Sequence, residues 1–225
     1  MILLLLAAML WVGVHIGLSG TALRGVLLRR LGTGGFMAVF SLLSVLAIIA
    51  LVMAYRHAPY IALFNAPVWL RWLLVLAMLP AFILFVASVA APNPTAAGQE
   101  ATLTKQVRGM QRVTRHPMMC AFGIWAAVHI VGNGDAAGLV FFGAFLVTVV
   151  AGMPSIDRKL ADRDPYGWAS LAASTSIVPF GAILAGRNRF VAGEIAWFIP
   201  VIGVVAWALT LGAHPHIIGV PAIPN

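Results

Sequence analysis

Six apolar runs, at residues 2–20, 36–54, 67–90, 117–133, 137–153 and 194–213, each approach the roughly 20 residues that cross a bilayer as a helix. Composition agrees: 62% of the 225 residues are hydrophobic, 9% are charged and the mean hydropathy is +1.00. A soluble domain carries about 25% charge. The linkers between runs are short, so the expected architecture is all-α and integral to the membrane. It is one domain over 1–225, a bundle of about six transmembrane helices in contact with lipid.

The net charge of +8 raises the question of nucleic acid, and the placement of the charge answers it. Arg24, Arg29 and Arg30 follow the first run. Lys105, Arg108, Arg112 and Arg115 follow the third, and Arg158, Lys159, Arg163, Arg187 and Arg189 follow the fifth. Only Arg56 and Arg71 fall on the other side. This is the positive-inside pattern. It makes these segments the inner side, places both termini outside and leaves no role for nucleic acid. The first run has its positive charge after it, as a retained N-out anchor does. A single cysteine, Cys120, excludes an internal disulfide and a cysteine-rich metal site.

Two inner segments hold most of the polar sequence. The first, 91–117, starts with Pro and small residues and ends in a basic, partly amphipathic stretch suited to the membrane surface. The second, 154–189, holds three of the six acids, then an apolar piece at Ile177–Leu184 too short to cross. That piece is expected to be re-entrant or interfacial. The tail from His214 contains three prolines and is expected to be irregular.

Of six histidines, His57, His214 and His216 fall in an outer loop or at the outer interface, where an imidazole is tolerated. His15 and His129 lie inside apolar runs, and an ionisable group there is a candidate functional residue. Each has a tryptophan four residues earlier, Trp11 and Trp125, on its own helical face. Gly13, Gly17 and Gly20 remove bulk around His15, for close helix packing or for a flat ligand. Phe122 and Met118 extend the His129 stripe. Two neutral imidazoles in apolar surroundings, without a carboxylate or thiolate cluster, suit a haem iron better than zinc or magnesium. The basic inner segments offer partners for haem propionates. The rival reading is a pair of core histidines that pack a bundle.

His116 is a separate case. Thirteen residues at about 100° each turn it about 140° away from His129 on an ideal helix. Arg115 and His116 precede Pro117, which fits a first helical turn. At that helix start they form a candidate anion site, or an interfacial anchor, on the inner face.

The stretches "HIGLSG", "VTRHPMMCAFGIWAAVHIVGNGD", "SIDRKLADRD" and "STSIVPFGAILAGR" resemble, in order, the NnrU family of bacterial membrane proteins and the related 15-cis-zeta-carotene isomerases. The resemblance implies haem b held by His15 and His129, as in the isomerase branch, which acts on an apolar polyene without net redox change. The NnrU branch is named from gene neighbourhoods of nitrite and nitric oxide reduction. It implies denitrification metabolism, nitric oxide as a candidate ligand and a bacterial inner membrane. "VTVVAGMPSIDRKL" lacks the histidine pair of the isomerases, which favours the NnrU branch. Arg-His-Pro followed by an acidic–Leu segment and "YGW…IVPF" also resembles membrane methyltransferases of the isoprenylcysteine type. That likeness implies S-adenosylmethionine near Arg115, His116 and Asp157. A haem protein, a methyltransferase and a non-catalytic assembly factor are therefore the three competing readings.

Overall fold

A computed structural model describes residues 1–96, 98–104 and 106–224, so Lys105 lies outside the described residues. Each apolar run is helical over most of its length, the last from Phe198 rather than 194. The order is α1 (Ile2–Val12), continued by a π-helical turn over Gly13–Leu18, then α2 (Ala22–Arg56), α3 (Val68–Ala90), α4 (Met110–Val113), α5 (Pro117–Asn133), α6 (Ala136–Arg163), α7 (Pro165–Ser174), α8 (Gly181–Leu184) and α9 (Phe198–Ile217). Among the described residues, β-pairing is limited to one isolated bridge between Ala62 and Asp135.

Among the described residues four helices, α2, α3, α6 and α9, are long and apolar enough to cross a membrane. The segments Ile2–Leu18 and Pro117–Asn133 are shorter, at the lower edge of what a bilayer requires. The helices carry large apolar side chains outward, among them Leu42, Val45, Ile49, Leu73, Val147 and Leu209. Water would penalise such a surface and lipid does not. Pro80 and Pro154 sit inside helices, where each removes one backbone hydrogen bond. Ser88 and Thr148 return their hydroxyls to the carbonyls of Phe85 and Ala144, as polar side chains in hydrocarbon must.

The chain forms two packed units: residues 1–66 with 129–152, and residues 67–128 with the chain from 153 onward. In the first unit, Gly32 (φ +68°) breaks α2 between an initial stretch and the long apolar part. Thr21 caps the start of α2, its hydroxyl accepting from Leu23 N–H. Gly134 (φ +62°) ends α5 in the left-handed conformation, and its carbonyl accepts from Leu63 and Phe64. Asp135 then caps α6 by accepting from Gly138 N–H at 2.9 Å.

In the second unit, α3 and α9 approach closely at Gly203. A Cβ there would lie 2.8 Å from Ile83 Cγ1 and 2.9 Å from its Cα, so the small residue permits the contact. Trp207 donates to the Val75 carbonyl at 3.0 Å along the same seam.

One expectation changes. The tail is helical to Ile217 rather than irregular from His214. Pro215 falls in the last turn, where its fixed φ is helical, and Ile218 and Gly219 close the end on the carbonyls of His214 and Pro215. The first inner segment holds a 3₁₀ turn at Glu100–Thr104 and, after Gly109 at φ +57°, the four-residue α4.

Candidate functional site

The second unit assembles the inner-face residues named from the sequence. Arg115 and His116 lie between α4 and α5, and Asp157 lies on α6 beyond its apolar part. Arg115 donates to Asp157 from Nε at 3.2 and 3.1 Å and from Nη2 at 2.6 Å. His116 Nε2 donates to Asp157 Oδ1 at 2.7 Å. One carboxylate therefore serves a guanidinium and an imidazole. The His116 side chain has no exposed surface, and those of Arg115 and Asp157 are each 11% exposed. Burial alone would push the Asp157 carboxyl up, but the hydrogen bonds from His116 and Arg115 outweigh it and hold it below its ordinary value.

The backbone around this pair is fixed by the piece following α7. Arg115 N–H donates to Ser176 O at 3.1 Å and Phe180 N–H to Val113 O at 2.8 Å. Thr114 donates to Ile177 O at 2.8 Å, while its hydroxyl accepts from His116 N–H at 3.2 Å. The Arg115 guanidinium lies over the Trp168 ring at 5.2 Å, and its carbonyl accepts from Thr95 at 2.6 Å. The Ile177–Leu184 piece thus docks on the Arg-His-Pro segment. Phe180 takes φ +62°, a strained conformation for a bulky residue, to make that turn.

With Nε2–H committed to Asp157, neutral His116 carries its lone pair on Nδ1. That atom is buried and has no partner among the described residues. Cys120 sits one turn on, buried, with Sγ 3.5 Å from Thr114 Oγ1 and from Ile177 O. The arrangement can hold the inner segments together and can present one basic nitrogen.

A second ion pair lies beside it. Glu194, just before α9, accepts from Arg112 at 2.7 and 2.9 Å and from Gly109 N–H at 2.8 Å. Arg112 also donates to Asn188 at 2.6 Å. Arg112 lowers the Glu194 carboxyl from 4.5 to about 2. A depressed carboxylate contributes stability above its unfolded pKa and loses it as pH falls through the folded one. Acidification from about pH 4.5 toward about 2 is therefore expected to lower the thermal midpoint of the detergent-solubilised protein. The Glu194→Gln variant should lose less than the parent across the same window. Equal acid sensitivity of the two would show that Glu194 does not contribute.

The first unit holds both histidines named inside apolar runs. His15 falls in the π-helical turn, an element frequent at functional sites. Its Nδ1 lies 2.9 Å from Trp11 O. A carbonyl only accepts, so Nδ1 carries the proton and Nε2 the lone pair. His57 makes the same bond to Met53 at 2.8 Å, so the bond alone does not mark a ligand. The surroundings do distinguish them. The His15 ring lies tilted against Trp11, centroids 3.9 Å apart, and meets Phe40 edge-on at 5.5 Å. Trp11 Nε1, a buried donor, has no partner among the described residues. A Cβ at Gly13 or Gly17 would meet no atom within 4 Å, so neither glycine marks a close approach of helices.

His129 stacks on Phe142 at 4.7 Å. A run of rings on α6 links the two histidines: Trp11 touches Phe145 at 4.7 Å, Phe145 touches Phe141 at 5.4 Å, and Phe141 touches Phe142 at 4.9 Å. Phe122 and Trp125 belong to the other unit, where they pack edge to face with each other and Phe122 packs on Phe85. His214 bonds the Val220 carbonyl at 2.6 Å and is exposed. Among the described residues no three His, Cys, Asp or Glu side chains group as metal ligands. The sequence did not single out Thr114, Trp168, Arg112 or Glu194.

The model of one family, described as NnrU protein, matches residues 3–222. The chain belongs to the NnrU family. Within the curated proteins it is similar to the chloroplastic 15-cis-zeta-carotene isomerases of Arabidopsis thaliana, 29% identical, and Zea mays, 30% identical. Each match covers 106 residues, 47% of this chain but only 29% of the relative's length. No solved structure matches. This NnrU-family chain is thus a helical membrane protein with distant isomerase relatives.

Proposed function

We propose that this NnrU-family protein binds haem b in the inner membrane of a bacterium, where His15 and His129 would hold the iron, and serves nitrite and nitric oxide metabolism. In this reading the chain is one membrane domain of six spans with both termini outside, opposite the basic inner segments. The observation that carries it is the His15 environment. The Trp11 carbonyl fixes the tautomer and leaves the basic lone pair on Nε2, and the buried Trp11 Nε1–H has no partner among the described residues. A ring nitrogen held by a hydrogen bond at its other nitrogen is how a protein presents imidazole to a metal. The donor set, two imidazoles among aromatic rings, fits haem iron rather than a hard cation.

When bound, haem would supply an iron that takes a diatomic ligand such as nitric oxide once one of the two histidines leaves it. His15 and His129 supply lone pairs, Trp11 supplies a hydrogen-bond donor, and Phe40, Phe142 and Phe145 exclude water. A second reading, isomerisation of an apolar polyene, is favoured by the similarity to the two isomerases. It makes the same use of the histidines.

Protein purified after haem-replete expression is expected to show a Soret band and about one haem b per chain by pyridine haemochrome assay. A colourless preparation rejects the proposal. In that case, calorimetry with S-adenosylmethionine tests the Arg115–His116–Asp157 site. If that also gives no heat, the assembly-factor reading remains.

A further inference from the structure

In the first unit α1 packs along α2, and beside that contact the two helices leave a groove of about 850 Å³. Its floor holds Leu4 and Ala7, both buried, and its rim Leu3, Leu6 and Leu10, all exposed. The other wall comes from the last turns of α2, where Ala50 and Ala54 stand one turn apart. Their methyl groups leave open the space that a longer side chain would fill. His57 also lines the groove, directly after the last residue of α2. Its Nδ1 donates to Met53 O at 2.8 Å, which holds the ring and leaves Nε2 without a partner among the described residues. Arg56, the residue before it, is exposed and has no acidic partner among the described residues.

Among the lining side chains only His57 can bond water, so the groove takes an apolar occupant. Its volume lies within the roughly 300–1,000 Å³ of small-molecule sites. Because α2 is long and apolar enough to cross a membrane, its Arg56 end meets the headgroup layer, and the groove runs from there into hydrocarbon. We infer that the groove is a lipid site: one acyl chain of an anionic phospholipid lies along Leu6, Leu10 and Ala54, with its phosphate at the Arg56–His57 end. In hydrocarbon the chain is held by packing, so the shape left by Ala50 and Ala54 decides whether it fits. Arg56 supplies the preference for negative charge, an attraction that needs nearness to the membrane surface and no fixed fork. The site is independent of the haem reading. A second copy of this chain is the competing occupant, since an open apolar face also suits a subunit contact.

The test titrates the full chain, in a neutral detergent, with phosphatidylglycerol and with phosphatidylcholine of the same acyl chains, and counts bound lipid by native mass spectrometry. The parent is expected to hold phosphatidylglycerol about fivefold more tightly than phosphatidylcholine, the surface attraction of one arginine. Arg56→Gln should erase most of that preference. Ala50→Leu/Ala54→Leu, which fills the groove with good helix formers, should weaken both lipids about tenfold or more. Equal binding of the two lipids by the parent, or binding of neither, overturns the assignment, and that comparison needs no variant to fold. Unchanged lipid binding in Ala50→Leu/Ala54→Leu places the lipid elsewhere and overturns it too. A parent that is dimeric without lipid and monomeric in that variant gives the groove to a second copy, which also overturns it.

Discussion

Asp157→Ala is expected to lower the unfolding free energy in detergent by about 3–5 kcal/mol, the usual cost of stranding a buried ionic partner. The loss is large because one carboxylate serves two groups. The Arg115 guanidinium and the His116 Nε2–H would both be left without an acceptor in surroundings where His116 has no exposed surface. Asp157→Asn keeps one acceptor and should cost less, since the amide oxygen can still accept from one of the two. Denaturant or thermal unfolding of the solubilised protein measures this. A loss below about 1 kcal/mol for Asp157→Ala would show that the inner segments are held some other way. The same variant should leave a Soret band unchanged, because Asp157 and the His15 site belong to different units.

Gly134→Ala is the second large effect, about 2–4 kcal/mol, from two sources that add. The backbone at Gly134 has φ +62°, which a Cβ disfavours. The new methyl would also fall on the carbonyl oxygen of Phe64. To relieve it, the 61–64 loop must move away, and the bonds from Leu63 and Phe64 N–H to Gly134 O would go with it. Gly13→Ala and Gly17→Ala are the internal controls. Both have open space at the Cβ position, and alanine favours the helix by up to about 1 kcal/mol. Equal behaviour of Gly134→Ala and these controls would contradict the packing described for that turn.

The helices were legible because bilayer length and apolarity leave a chain few options. The start of α5 was legible too, since Pro117 fits a first helical turn and the Arg115–His116 pair precedes it. That Arg115 and His116 meet Asp157 was suggested only by the likeness to membrane methyltransferases, since no local pattern ties residues 41 and 42 positions apart. The break at Gly32 was not legible. A glycine in "RRLGTGGF" reads equally as a tolerated helix residue, and only the fold-back of Arg24 onto Phe36 shows its use. The π-helical turn at His15 also lies below what periodicity resolves, since it changes the hydrogen-bond step without changing composition. Thr114, Trp168 and Glu194 were missed because their partners are 53 to 85 residues away, and nothing local marks a side chain that closes a distant contact.

The central claim is that His15 and His129 hold one iron, and the absorption spectrum of ligand variants tests it most directly. The oxidised parent protein is predicted to show the low-spin spectrum of a six-coordinate bis-imidazole haem. His15→Ala and His129→Ala should each shift it to a high-spin form or abolish it, while His57→Ala and His116→Ala leave it in place. A Soret band unchanged in both His15→Ala and His129→Ala would contradict the assignment.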